Sequence, residues 1–117
     1  MNDSDKRPTI LIVEDIDWIR TAMKEAVERE GYYAFEAKND AEALELAAGK
    51  SIELVLTEEE VPTFDLLTSR LREDPELSQV PVVIVNPDAE EGGRYRGAYL
   101  LADYSELSSL LASLRTW

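Results

Sequence analysis

Short uninterrupted apolar runs alternate with segments of helical periodicity along this chain, and that alternation limits the folds open to it. The runs occupy residues 10–13, 54–56 and 82–85, with a weaker run at 99–101. Continuous apolar runs of this length are typical of strands that are covered on both faces of a parallel sheet. The aromatic segment 32–35 is a fifth candidate and is predicted to form an edge strand.

Between the runs, apolar residues recur every three or four positions, which is the spacing of one helix face. Four such stripes are predicted: Ile16, Ile19, Met23 and Val27, stopped by Gly31; Ala41, Leu44 and Ala48, capped by Asn39 or Asp40; Phe64, Leu67 and Leu71; and Leu107, Leu110, Leu111 and Leu114, capped by Ser105. Residues 87–96 lack a stripe and contain two adjacent glycines, so the fourth helix of such a fold is expected to be short or absent. Alternating strands and helices predict a three-layer α/β sandwich.

Composition narrows the function classes. The 117 residues are enough for one domain with a sizeable core, expected at residues 9–117 behind a flexible N-terminus at 1–8. No apolar run approaches the ~20 residues of a membrane helix. The chain has no cysteine, which is compatible with a cytoplasmic location, and no histidine, which excludes Ser-His-Asp catalysis. The formal charge of −13 disfavours nucleic acid and anionic membranes as direct partners.

Acidic residues follow two of the predicted strands. Glu14 and Asp15 come directly after the first run, and Glu58 follows the third run after Thr57. In open α/β sheets, ligands bind beyond the carboxyl ends of the strands, where the strand order reverses. Glu14, Asp15 and Glu58 are therefore expected to share an acidic pocket with oxygen ligands suited to Mg²⁺. The alternative is that acidic residues only favour the starts of helices, which is the preferred interpretation for Glu59 and Glu60.

Four segments carry a resemblance to a known family. Residues 10–15 (ILIVED), 53–62 (ELVLTEEEVP), 81–85 (PVVIV) and 97–101 (GAYLL) resemble the receiver domains of two-component response regulators. The resemblance implies a flavodoxin-like fold with a five-stranded parallel sheet in the order 2-1-3-4-5 and helices on both faces. It also implies that two acids hold Mg²⁺ and that an aspartate after the third strand accepts a phosphoryl group from a histidine kinase.

The residues that perform phosphoryl transfer in the family are replaced in this chain. Glu14 and Asp15 match the acid pair, and Tyr99 matches the aromatic switch position. The acceptor position holds Glu58, whereas Asn86 and Ala102 stand where the family has a Thr or Ser and a Lys. Without that lysine, mutual repulsion is expected to favour protonation of one carboxyl group or to recruit a cation, with Arg94 or Arg96 as candidates.

The resemblance and its departures predict a degenerate receiver, or pseudo-receiver: a non-enzymatic signalling module that binds a protein partner independently of phosphorylation. The partner is expected to be a sensor kinase, another signalling protein or a second copy. The candidate partner surface comprises Trp18, Tyr95, Tyr99 and Tyr104. For Trp18, partial burial against a neighbouring loop is an equal alternative, and for each tyrosine, packing in the core or at its rim is at least as strong an alternative. No cofactor is required, and weak Mg²⁺ binding by Glu14, Asp15 and Glu58 stays open.

Two further functions are compatible with parts of the pattern. One is an unusual but active receiver that accepts a phosphoryl group in a phosphorelay, on Glu58 or a neighbouring acid. The other is a flavodoxin-like binder of a small anionic cofactor, which the missing Gly-rich loop and the acidic strand ends disfavour. The sequence leaves open whether Glu58 imitates the phosphorylated state.

Overall fold

A computed structural model of the protein describes residues 9–48, 51–58, 64–75, 77–85, 93–95, 98–101 and 104–114. The strands are β1 (Thr9–Val13), β2 (Tyr33–Ala37), β3 (Ile52–Glu58), β4 (Val82–Val85), β5 (Gly93–Tyr95) and β6 (Ala98–Leu101). The helices are α1 (Asp17–Arg29), α2 (Asp40–Ala47), α3 (Phe64–Glu73) and α4 (Tyr104–Leu114). Each predicted apolar run lies in a strand, and each predicted stripe lies along a helix except for Ile16 and Ala48, which flank α1 and α2. The N-terminal residues 1–8, predicted to be flexible, lie outside the described residues.

The strands form one sheet in the order β2-β1-β3-β4-β6-β5. The pairs from β2 through β1, β3 and β4 to β6 are parallel, whereas β5 runs antiparallel to β6. The prediction of five wholly parallel strands is therefore wrong at the far edge, where Gly93–Tyr95 adds a sixth strand. Two residues separate β5 from β6, which is the connection length of a tight hairpin and favours antiparallel pairing. Along the sequence, the described residues between β4 and β6 form β5, and the rest of the segment where the fourth helix was expected to be short or absent lies outside the described residues.

Two apolar layers cover the two faces of the sheet, because successive strand residues point to opposite sides. Ile10 and Ile12 face one cluster, which contains buried residues of α1 and α4. Leu11 and Val13 face the other cluster, which contains buried residues of α2 and α3. The three-layer sandwich therefore forms as predicted, with β1 buried on both sides.

Local signals define two of the helix ends. Gly31 has a φ of 92°, a left-handed conformation that suits glycine after the end of α1. The Asn39 side chain accepts a hydrogen bond of 2.8 Å from the Glu42 amide and caps α2. By contrast, α4 begins at Tyr104, so Ser105 lies inside the helix and the predicted Ser105 cap is wrong.

The buried face of α2 differs from the predicted apolar stripe. Ala43 and Ala47 are buried, whereas Ala41 and Ala48 are exposed and Leu44 is partly buried. Alanine or leucine stands at five of the eight positions of this helix, so the sequence alone permits several buried faces. Packing against β1 and β2 selects the face that carries Ala43 and Ala47.

Candidate functional site

The acidic residues of β1 and β3 meet at the carboxyl edge of the sheet. Val13 pairs with Thr57 in the parallel register of β1 and β3, so Glu14 and Glu58 occupy the next positions on adjacent strands. Neighbouring strands lie about 4.8 Å apart, which brings the two backbones together. This edge is also where the strand order reverses, because β1 lies between β2 and β3.

Glu14 is buried, with 1% of its surface exposed, and it is tied to its surroundings through its backbone and its side chain. Its amide donates a 2.9 Å hydrogen bond to the carbonyl of Ala37, which extends the β1–β2 ladder. Its carboxylate oxygen Oε2 accepts a 2.9 Å hydrogen bond from the amide of Ile16, the residue that precedes α1. The next residue, Asp15, is exposed to solvent. The two acids that the sequence paired therefore have different environments.

Among the described hydrogen bonds, those of Arg20 bring a positively charged side chain to this edge. Its Nη1 donates 3.0 Å to the carbonyl oxygen of Glu14, and its Nη2 donates 2.6 Å to Oδ1 of Asp17. Its Nε lies 3.6 Å from Oε1 of Glu36 on β2, and the Arg20 side chain is only 12% exposed. Lys24 shares the same acceptor residue, with Nζ 3.4 Å from Oε2 of Glu36. Sequence reasoning missed Arg20, although its position three residues after Asp17 on one helix was a usable signal.

The guanidinium of Arg20 also affects the ionisation of Asp17. The hydrogen bond from Arg20, supported by its positive charge, holds the pKa of Asp17 below the ordinary value of 3.8. Because the Asp17 side chain is 80% exposed, solvent screens this interaction strongly. The pair therefore fixes the geometry of the first turn of α1 more than it stabilises the fold.

The start of α1 exposes apolar surface. Trp18 is 74% exposed and Ile16 is 44% exposed, and these are the large hydrophobic residues that the described part of the chain leaves open to solvent. For Trp18, this exposure favours the partner surface over partial burial against a neighbouring loop, and its role stays a prediction. The side chains of Tyr95, Tyr99 and Tyr104 lie outside the described part of the structure, so their place on a partner surface stays a prediction.

Several predicted site groups also fall outside what the structure describes: the side chain of Glu58 and the whole of Asn86 and Ala102. Among the described residues, no group of three or more acidic side chains is placed to hold a metal ion. The Mg²⁺ site at Glu14, Asp15 and Glu58 therefore stays a prediction, since its third member is outside that set.

The pairing of the far strands argues against Arg94 as the countercharge. Arg94 pairs with Tyr99, which pairs with Val83, which in turn pairs with Leu56 on β3. Arg94 thus lies three strands from β3, about 14 Å at a spacing of about 4.8 Å. That distance exceeds the length of an arginine side chain. Arg96 lies outside the described residues.

Comparison with curated and solved proteins places this geometry in a known context. The transcriptional regulatory protein SrrA of Staphylococcus aureus is 36% identical over 90 residues, which cover 75% of this chain and 36% of that protein. The chain thus spans about a third of the length of this relative. None of the helices that the structure describes combines the length and apolar character that a bilayer span requires.

Two solved structures share the fold. A CheY-like receiver domain from Methylobacillus flagellatus has a TM-score of 0.76 at 21% identity, covering 94% of this chain and 100% of that one. The second is the receiver domain of sensor histidine kinase PA1611 from Pseudomonas aeruginosa, which was solved with magnesium coordinated in its active-site cleft. It has a TM-score of 0.75 at 20% identity, and the match covers 92% of this chain and 96% of that one. At these identities the similarity shows the flavodoxin-like fold.

The family assignment comes from the sequence match. The family model of the response regulator receiver domain matches residues 10–103. This range includes all six strands, apart from Thr9 at the start of β1, and three of the four helices described above. The chain therefore belongs to the receiver domain family of two-component response regulators.

Proposed function

We propose that this receiver domain signals by docking to a protein partner and does not use phosphorylation at position 58. The observation that carries the proposal is the parallel register, which puts Glu58 at the carboxyl end of β3 beside the Glu14 position of β1. Glu58 thus occupies the position that the family resemblance assigns to the phosphoryl-accepting aspartate.

The length of glutamate is one reason why transfer to Glu58 is inefficient. Its carboxylate is one methylene farther from the backbone than that of aspartate, a displacement of about 1.5 Å. Errors of about 1 Å in the position of a reacting atom can reduce the rate on the order of a hundredfold. Because phosphoryl transfer depends mainly on positioning and charge stabilisation, this displacement acts on the main source of rate enhancement.

The missing cation is a second reason. The position that the resemblance assigns to the phosphate-binding lysine is Ala102, which carries no charge. Arg20, which does approach the acidic edge, donates to the Glu14 carbonyl and to Asp17. Its hydrogen bonds thus direct it towards the loop between β1 and α1. The negative charge that develops on a transferring phosphoryl group therefore lacks the usual stabilising partner.

Acetyl phosphate with Mg²⁺ tests this proposal directly. In the active alternative, a carboxylate oxygen attacks phosphorus and acetate leaves, so intact-mass spectrometry detects one added phosphoryl group. We expect no addition to the wild-type protein and measurable addition to the double variant Glu58→Asp/Ala102→Lys. Stable phosphorylation of the wild-type chain would refute the proposal and establish the alternative of an active phosphoryl acceptor.

The acidic edge has the donor chemistry for a divalent ion, which would supply charge neutralisation when bound. Carboxylate oxygens are the ligands that Mg²⁺ prefers, Asp15 is exposed, and the Glu14 and Glu58 backbones are adjacent. We therefore include weak Mg²⁺ binding by Glu14, Asp15 and Glu58 in the proposal. Millimolar Mg²⁺ is expected to raise the melting temperature of the wild type and to have less effect on Asp15→Asn, as for any ligand of the native state. No shift in the wild type contradicts this part.

The exposed start of α1 is the surface that we assign to the protein partner. An indole that is 74% exposed presents a large, rigid apolar area, and tryptophan is enriched among residues that dominate binding energy. Ile16 extends the apolar area. The occupant is either a sensor kinase or other signalling protein, or a second copy of the chain.

Light scattering over a range of concentrations separates these occupants, because a second copy doubles the mass of the particle. Trp18→Ala is expected to weaken the association that is found, while Glu25→Gln, an exposed change farther along α1, leaves it unchanged. The variant Glu58→Gln tests whether Glu58 imitates a phosphorylated residue. Unchanged association in Glu58→Gln would exclude that role.

A further inference from the structure

Arg20 connects three parts of the chain around the acidic edge. Its guanidinium contacts the Glu14 carbonyl at the end of β1, the Asp17 carboxylate in the first turn of α1 and the Glu36 carboxylate on β2. Arginine is seldom this buried unless it is paired, and its planar fork fits several acceptors at once. The position of the loop from Glu14 to Asp17 is thus defined from one side by a single side chain.

Within that loop, Glu14 is restrained at three groups. Its amide is bonded to Ala37, its carbonyl to Arg20 and its carboxylate to the Ile16 amide. Fixing the Glu14 carbonyl fixes the peptide plane that leads into Asp15. The direction in which the Asp15 side chain leaves the backbone therefore depends on Arg20.

We propose that Arg20 is a positioning residue that holds Glu14 and Asp15 in the arrangement required for divalent-cation binding. The inference rests on the ion binding proposed above and adds a residue that is not itself a ligand. Residues that orient metal ligands from behind typically contribute about 10- to 100-fold to metal affinity.

Simple electrostatics predicts the opposite effect, which makes the proposal testable. A guanidinium close to the acids repels a second cation, so its removal should tighten Mg²⁺ binding if charge were its whole contribution. If Arg20 positions the loop, its removal should weaken binding instead. The sign of the change in affinity distinguishes the two roles.

Lys24 provides a matched control. It lies one helical turn after Arg20, carries the same charge and pairs with the same Glu36, whereas the Glu14 carbonyl is bonded by Arg20. We expect Arg20→Gln to lower the Mg²⁺ affinity about tenfold, and Lys24→Gln to leave it unchanged or slightly higher. Arg20→Lys keeps the charge and loses the fork, so it is expected to behave like Arg20→Gln and serves as the milder variant if Arg20→Gln does not fold.

A second measurement needs no metal. The Ile16 amide is bonded to the Glu14 carboxylate, so its hydrogen exchange, measured by NMR, reports the order of the loop. We expect exchange about tenfold faster in Arg20→Gln, equivalent to the loss of one charge-assisted hydrogen bond, and no such change in Lys24→Gln. Equal exchange in the two variants overturns the proposal.

The two measurements separate this inference from the proposed function. Unchanged or tighter Mg²⁺ binding in Arg20→Gln, beside a wild type that binds, overturns the positioning role. A wild type that binds no Mg²⁺ refutes the ion site alone, and the exchange of the Ile16 amide then decides whether Arg20 positions the loop.

Discussion

The hydrogen bond from Tyr32 to α4 gives the most direct test of how the last helix is held. The Tyr32 hydroxyl donates 2.7 Å to the carbonyl oxygen of Leu111, and both residues are buried in the cluster that joins α1, the sheet and α4. Leu111 is one of the last four residues of α4, whose carbonyls have no amide partner within the helix. Tyr32→Phe removes this donor and leaves the rest of the ring in place.

The expected cost follows from burial. A buried carbonyl that loses its hydrogen bond while remaining away from water costs about 1–3 kcal/mol. Retention of the aromatic ring avoids the larger penalty of a cavity. We therefore expect the free energy of unfolding to fall by about 1.5 kcal/mol in Tyr32→Phe, which for a domain of this size lowers the melting temperature by about 6 °C.

Urea unfolding followed by circular dichroism measures this difference, with the slope of the transition expected to stay constant. Ser113→Ala is the control, because Ser113 also donates from a hydroxyl, over 2.7 Å, to a carbonyl of α4, that of Leu110, but at an exposed position. That variant should differ from the wild type by no more than about 0.5 kcal/mol. If Tyr32→Phe is no more destabilising than Ser113→Ala, the argument from burial is refuted.

Three further predictions concern the helix ends and ion pairs. Asn39→Ala removes the cap of α2 and should lower the free energy of unfolding, measured in urea, by about 1 kcal/mol. Asn39→Asp keeps a side-chain oxygen and should retain most of the wild-type stability. Equal loss of stability in both variants would contradict the role of that oxygen. Arg70→Gln removes the cation that lies 3.2 Å from Asp40, a residue only 6% exposed. The free energy of unfolding should fall by only about 1 kcal/mol, because about half of the Arg70 side chain is in solvent. Recovery of stability in Asp40→Asn/Arg70→Gln would confirm that the two residues are coupled, whereas additive effects of the two substitutions would exclude it. The hydrogen bond from Arg20 and the charge of Arg20 lower the pKa of Asp17, so this pair stabilises the folded state at pH values above the ordinary pKa of 3.8. The contribution is lost as the pH falls below 3.8, and Asp17→Asn should therefore reduce the loss of stability in that acidic range. An unchanged dependence of stability on pH would show that the pair contributes nothing.

Much of the central sheet could be predicted from the sequence because its apolar runs are compatible with few other kinds of structure. A run such as residues 10–13 must be covered on both faces, which requires helices on both sides of the sheet. The far edge could not be predicted in the same way. Gly93–Tyr95 contains one aromatic residue and no apolar run, and it becomes a strand because β6 offers it an edge to pair with.

At the acidic edge, the sequence predicted the neighbouring strand ends of Glu14 and Glu58 but not the environments of the described side chains around them. The order of the strands was enough to bring Glu14 and Glu58 to neighbouring positions, and the register of β1 and β3 agrees with that expectation. The different environments of Glu14 and Asp15, one buried and one exposed, could not be read from two adjacent acidic letters. The role of Arg20 depends on acceptors from β1 and β2, which the linear sequence does not place near one another.

By itself, the sequence determined the family, the alternation of strands and helices, and the presence of Glu58 and Ala102 where the family resemblance expects an aspartate and a lysine. Those properties depend on residue type and local spacing. The tertiary structure decided which face of α2 is buried, which cation approaches the acidic edge, and that Trp18 is exposed at the start of α1. The reason is that burial and ion pairing depend on residues from distant parts of the chain. The linear sequence allows several possible neighbours for each side chain, and only the folded sheet determines which of them is in contact.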